Sequence, residues 1–294
     1  MVRPIPAVAA VLAFCLAWLP PADAGEAVDL KLILAVDVSR SVDYEEGLLQ
    51  RGGYVEAFAD PEVAEAIASG FHGKIAVLYF EWASIAHQRV VMDWTVIDGA
   101  ASAKEFSARL KAQPISSESR TAISGAIDFA VPLFEDRRFE AKRKVLDISG
   151  DGPNNYSRPV VQARDEALAA GITINGLPIV EERPNFGYGG FGWVPNLDLY
   201  FEHCVIGGRG SFVVVANGFA DFANAIKQKL VLEIAGLTPG KPTPDFAAAP
   251  GFRGLARPAD DGRPLIRIQG RGQDQREIPP CDGFNRGYQY RGPD

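Results

Sequence analysis

Three short stretches of the chain carry oxygen-bearing side chains that could together hold a hard cation. In "DVSRS", Asp37, Ser39 and Ser41 stand two residues apart at the end of an apolar run that begins at Leu30. Thr121 lies in "SSESRTAISGA" and Asp151 in "DISGDGPNN", where a buried-looking strand enters a glycine turn. Taken alone, the aspartate and serines of the first stretch could equally cap a helix, a position both residue types favour. With Thr121 and Asp151 added, the set offers carboxylates and hydroxyls only. Such donors suit Mg²⁺ or Mn²⁺ and not zinc.

The elements that must position these residues alternate in type. "DLKLILAVDV" is an apolar run of strand length, and "DYEEGLLQRGGYVEAFAD" follows with helical spacing and acids, Asp43 and Glu45 among them, in its first turn. "KIAVLYFEW" and "QRVVMDW" are too close in sequence for a parallel crossover, so they form an antiparallel hairpin at a sheet edge. Helices are expected within 102–111 and 122–134, a strand at "RKVLDISGD", a helix at "RPVVQARDEALAAG" and a strand at "ITINGLPIV". A short helix in "LDLYFEHCVI", a strand at "SFVVVA" and a closing helix ended by Gly236 complete the pattern. The expected fold is a three-layer α/β/α, doubly wound arrangement with a mostly parallel six-stranded sheet and one antiparallel edge strand. In open sheets of this kind ligands sit at the carboxyl ends of the strands, where "DVSRS" falls.

Asp37, Ser39, Ser41, Thr121 and Asp151, in this order, resemble the metal-ion-dependent adhesion site of von Willebrand factor A domains. The resemblance spans about residues 28–235. It departs locally at Gly150, where many members of that family have threonine. It implies a Rossmann-like fold and a binding site, not a reaction centre. The two serines and the threonine would touch the ion directly, the aspartates often through water, and an open coordination position would take a carboxylate from a protein partner. Because uncharged hydroxyls then dominate the donors, the ion keeps much of its charge and attracts that carboxylate. Parallel strands place their following turns on one rim, so Glu81, Trp82, Asn154, Asn155 and Tyr156 are expected around the metal. The insertion "EERPNFGYGGFGWVPN", with Tyr188, Phe191 and Trp193, would either join them as a partner-contacting loop or be a mobile loop with a few self-packed rings.

Composition narrows the partners and the compartment. Residues 25–235 carry 20 Lys and Arg against 29 Asp and Glu, whereas 236–294 carry 9 against 7. An acidic main domain repels nucleic acid and anionic lipid, so neither is an expected partner. The N-terminus, with Arg3, an apolar stretch from Ala7 to Leu19 and then "PPADAG", reads as a signal peptide over residues 1–24. No later segment is long and apolar enough to anchor the mature chain, so a secreted, periplasmic protein is expected. Cys204 and Cys281 are then an even pair in an oxidising compartment and are expected to be joined. The three expected regions are thus the signal, a domain over 25–235 and a Pro/Gly-rich tail over 236–294. That tail is expected to be irregular apart from a strand at "PLIRIQ" and the cysteine link.

Two other function classes compete with metal-dependent adhesion. "SGDGPNN" resembles the "GDGxND" segment of haloacid-dehalogenase phosphatases, which need a carboxylate two residues after the first aspartate. Here that position is Ser39, the segment's last acid is Asn155, and Lys144 is too near Asp151 to be the separate lysine. A structural or assembly component using the same fold without metal is the other alternative. No G-x-S-x-G elbow is present, and His72, His87 and His203 follow no ligand spacing, so a non-enzymatic protein is expected. Asp147, on the strand leading to Asp151, is expected to be a core aspartate satisfied by hydrogen bonds.

Overall fold

The computed structural model describes residues 25–180, 194–237, 266–268 and 276–282. The expected signal peptide and most of the tail therefore lie outside the described residues. In chain order the elements are β1 (Glu26–Ala27), β2 (Lys31–Asp37), α1 (Tyr44–Ala59), α2 (Pro61–Ala68), β3 (Ile75–Trp82), β4 (Gln88–Ile97), α3 (Ala100–Lys111) and α4 (Ile123–Leu133). They continue with β5 (Phe139–Glu140), β6 (Lys144–Gly150), α5 (Val160–Ala169), β7 (Thr173–Val180), α6 (Leu197–Tyr200), β8 (Phe212–Val214), β9 (Ala216–Asn217), α7 (Phe222–Ala235) and β10 (Ile266–Ile268).

The main sheet runs β10-β8-β7-β6-β2-β3-β4, with β9 beside β7. β2, β3, β6, β7 and β8 are parallel, while β4 on one edge and β10 on the other run antiparallel to their neighbours. This corrects the expectation in two respects. The sheet has eight strands and not six, because the two-residue β9 lies beside β7 and the tail strand expected at "PLIRIQ" joins the sheet as β10. Both edges are antiparallel, because β10 comes from beyond the closing helix and doubles back on β8. β1 and β5 form a separate two-stranded ladder.

β2 lies at the sheet centre and is buried at all seven positions, as a parallel strand covered on both faces must be. Its alternate residues feed two cores. Leu32, Leu34 and Val36 pack with Tyr54, Phe58, Phe106, Phe222 and Leu230 beneath α1, α3 and α7. Ile33 and Ala35 pack with Ile123, Ile127, Phe134, Ile148 and Phe201 on the opposite face. Asp43 starts α1 with a capping box: its carboxylate accepts from the Glu46 N–H and the Glu46 carboxylate from the Asp43 N–H, both at 2.8 Å. Asp43 is thus the cap itself, and Glu45 is in the first turn as expected. The sequence reading missed α2, which Asp60 caps with Pro61 as its first residue.

One polar cluster interrupts the apolar layer under α7. Lys229 and Asp147 are wholly buried, and the ammonium lies 2.6 Å from Asp147 Oδ1 and against Glu233 Oε1. Glu233 Oε1 also accepts from Asn175 Nδ2 at 2.8 Å. Asp147 is therefore held by an ion pair to Lys229 through Oδ1, in place of the expected set of hydrogen bonds, and its Oδ2 has no hydrogen-bond partner among the described residues. Burial and the charge of Glu233 push its carboxyl up to about 7.

Candidate metal centre

β2 and β6 are neighbours in parallel register up to Val36 opposite Ser149, so the chain leaves both strands at the same rim. Asp37 ends β2, and Asp151 immediately follows β6. The Asp37 carboxylate turns the chain after it by accepting the Ser39 N–H at 2.7 Å, an Asx-type turn. That turn sets the Ser39 and Ser41 hydroxyls 2.9 Å apart, and Ser41 Oγ donates to Asp151 Oδ1 at 2.7 Å. Two strand ends have thus assembled four of the five expected ligands into one connected group.

Thr121 is brought in by backbone clamps. Glu118 bridges Ser39 and donates its N–H to the Val38 carbonyl at 2.9 Å. Asn155 holds Thr121 from the other side: its Oδ1 accepts the Thr121 N–H and its own N–H donates to the Thr121 carbonyl, each at 2.9 Å. The threonine is therefore fixed between the end of β2 and the turn after Asp151. Its hydroxyl makes no hydrogen bond to the other four side chains among the described residues, whereas theirs form the chain above.

The electrostatics of the group ask for a cation. Asp37 is completely buried, and its Oδ2 has no hydrogen-bond partner among the described residues. Burial first, and the neighbouring charge of Asp151 second, push its carboxyl well above the usual carboxylate range, against hydrogen bonds from Ser39 that favour the ion. A buried polar atom left without a partner is costly, and a dication at this point would relieve both the orphaned oxygen and the repulsion. Among the described residues no group of three or more His, Cys, Asp or Glu could hold a metal, so the fit depends on the hydroxyls. Hydroxyls and carboxylates match Mg²⁺ or Mn²⁺.

Gly150 now has a physical explanation. A Cβ at this position would stand 2.9 Å from Asp37 Oδ2, closer than a side chain tolerates. The glycine lets β6 approach the buried carboxylate. Gly150→Ala is expected to destabilise the fold by about 1–2 kcal/mol, an overpacking cost, because Asp37 is pinned by Ser39 and has nowhere to move. Thermal unfolding of the variant checks this, and an unchanged midpoint would contradict the close packing.

The expected rim is only partly a rim. Glu81 is 1% exposed and enclosed by Arg51, Arg89 and Ser116, and Trp82 is fully buried. Neither is presented to a partner, because β3 is an interior strand whose end is covered by α1 and the loop before Thr121. Arg51 itself was overlooked, although it falls on the buried face of α1, three residues before Tyr54. Asn154 is also buried: its Oδ1 accepts the Ser124 N–H at 3.1 Å and so fixes the start of α4. Asn155 is the clamp on Thr121. Tyr156 is half-buried, with the Arg120 guanidinium 5.3 Å above its ring. Tyr188, Phe191 and Trp193 lie outside the described residues. His72 and His203 are exposed and His87 is half-buried, and no histidine is a hydrogen-bond partner of the five candidate ligands. Cys204 and Cys281 are bonded, as expected.

Comparison with known proteins supports the fold. The pilus adhesin SpaC from Lactobacillus rhamnosus GG superposes with a TM-score of 0.51 at 10% identity, over 70% of this chain and 31% of the adhesin. Proximal thread matrix protein 1 from the mussel byssus gives a TM-score of 0.48 at 15% identity, over 72% of this chain. The chain spans about half the length of that byssus protein, 49% of it. The von Willebrand factor type A protein from Catenulispora acidiphila gives 0.44 at 17% identity, over 70% of this chain and 43% of its own. The likeness to the adhesin bears on architecture alone, and that architecture, a mostly parallel sheet with helices on both faces, is the one that the sequence led us to expect. No curated protein matches the chain. Residues 27–238 match the family described as protein of unknown function (DUF1194), and the chain belongs to that family.

Proposed function

We propose that the rim formed by Asp37, Ser39, Ser41, Thr121 and Asp151 binds Mg²⁺ or Mn²⁺ and, through the ion, a carboxylate of a protein partner, without catalysing a reaction. The observation that carries this reading is the buried Asp37 oxygen without a partner, set beside two serine hydroxyls and a second carboxylate. The cation would supply a Lewis-acidic positive charge at the rim. The chain's own residues prepare the place for it. Ser41 donates its proton to Asp151 and accepts from Ser39, which leaves one oxygen lone pair for a ligand. Asp37 fixes the Ser39 backbone and so the direction of the serine pair. Asn155 holds Thr121 at the same rim.

The proposed setting is outside the cytoplasm. The signal-like N-terminus and the Cys204–Cys281 bond support it. No helix among the described residues is long and apolar enough to cross a membrane.

Unfolding measured with Mg²⁺ or Mn²⁺ against chelator tests the site. An ion at about a hundred times its dissociation constant should stabilise the protein by about 2.7 kcal/mol. Asp37→Asn should abolish that response. If neither ion moves the midpoint of the unmodified protein, the reading fails and a metal-free structural role takes its place. Capture of a partner from a periplasmic extract in Mg²⁺, lost on adding chelator, is the expected companion result.

A further inference from the structure

Among the described residues, the two arginines that adjoin candidate ligands in sequence have no carboxylate partner. Arg40 is exposed and stands between the two ligand serines, while Arg120 is exposed and immediately precedes Thr121. Among the described residues neither makes an ion pair, and neither do Arg109, Arg137, Arg143 and Arg209, whereas Arg51, Arg89, Arg138, Arg158 and Arg164 are each paired with an acid. Acids are within the same loops, Glu118 and Asp43 among them, yet Asp43 is committed to the α1 cap and Glu118 holds the bridge to Ser39 through its backbone. Arg120 also has φ of +81°, a left-handed conformation that is uncommon for a residue with a side chain and that clusters at ligand-binding positions. Its guanidinium rests over the Tyr156 ring, held at the rim and not against an acid of its own domain. In a domain of net negative charge, Arg40 and Arg120 are exposed arginines that adjoin the proposed ligands in sequence and have no acid partner among the described residues.

We propose that Arg40 and Arg120 select a ligand with two adjacent carboxylates, one for the cation and one for a guanidinium fork. This rests on the metal-dependent reading above and names the partner class for that site: a protein segment with neighbouring Asp or Glu residues. A guanidinium can grip a carboxylate through two parallel hydrogen bonds, which a lysine cannot do.

Two synthetic peptides of equal length, one with a single aspartate and one with two adjacent aspartates, are the probes, titrated calorimetrically in Mg²⁺. The doublet should bind about tenfold tighter, the gain expected of one charge-assisted pair. Arg40→Gln with Arg120→Gln should reduce the doublet to the affinity of the single-acid peptide and leave the Mg²⁺ stabilisation unchanged. Arg120→Lys should recover only part of the preference. Absence of any Mg²⁺ stabilisation would defeat the metal reading itself. A normal Mg²⁺ response with both peptides bound equally, with neither bound, or with the preference intact in the double variant, overturns this inference alone.

Discussion

Lys229→Met is expected to lower the unfolding free energy by about 3–5 kcal/mol, the usual cost of removing one partner from a buried ion pair. Lys229 is the only cation paired with the carboxylates of Asp147 and Glu233 among the described residues, and all three are at most 1% exposed. Tyr54 on α1, Asn175 on β7 and Phe212 on β8 close the surroundings, and the Arg143 guanidinium is engaged by the carbonyls of Glu233 and Ile234. Burial first, and the charge of Glu233 second, since one lysine serves two acids, push the Asp147 carboxyl up to about 7 from 3.8. A folded-state value above the unfolded one means that the native protein holds this proton more tightly. The contribution to stability is complete below about pH 4 and is lost as pH rises through about 7. Urea denaturation should therefore show stability falling by on the order of 3 kcal/mol between pH 4 and 8 from this group. Asp147→Asn, which cannot ionise, should flatten that part of the profile. A slope as steep in the variant as in the original would show that another group causes it.

The layer architecture was legible because it is written in local periods. Continuous apolar runs of strand length, helical spacing between them and a hairpin too tight for a crossover fix the type and order of most elements. The candidate ligands were legible for a related reason: Asp37 and Asp151 are at the ends of buried strands, where a polar residue has no packing role. What escaped depends on partners far away in the chain. Glu81 looks like a rim residue until Arg51 and Arg89 cover it, and nothing near Glu81 in sequence announces them. Asn154 and Asn155 look like solvent-facing loop residues, yet their side chains bond Ser124 and Thr121, about thirty positions earlier. Gly150 read as a departure from a family pattern, and only the 2.9 Å approach to Asp37 shows what it is for. β10 belongs to a sheet edge that its three residues cannot specify alone.

The link between Cys204 and Cys281 should account for the other large loss of stability. Cys204 is buried in the turn of helix that follows α6, and Cys281 packs on the same apolar cluster from 77 residues away. Closing a loop of that length restricts the unfolded chain by roughly 4 kcal/mol in the loop-entropy description. Among the described residues, polar contacts also tie the end of the tail to the domain. Arg276 pairs with Asp198, and Asn196 Nδ2 donates to the Glu277 carbonyl at 3.0 Å. β10 meets only the three residues of β8, which is itself joined to β7 through a single pair, Gly176 opposite Val213. Releasing the covalent link should thus free β10 first and expose the β8 edge, a row of unpaired backbone groups. Cys281→Ser is the cleaner variant, since Cys204 is fully buried and a serine there would bury a hydroxyl as well. Its unfolding midpoint should fall to that of the reduced protein, and amide hydrogen exchange should rise at Phe212–Val214 while β2 and β6 stay protected. Equal midpoints with and without reductant would mean that the polar clamp around Arg276 holds the tail by itself. Exchange rising equally in β2 would mean that the edge and the sheet centre unfold as one unit.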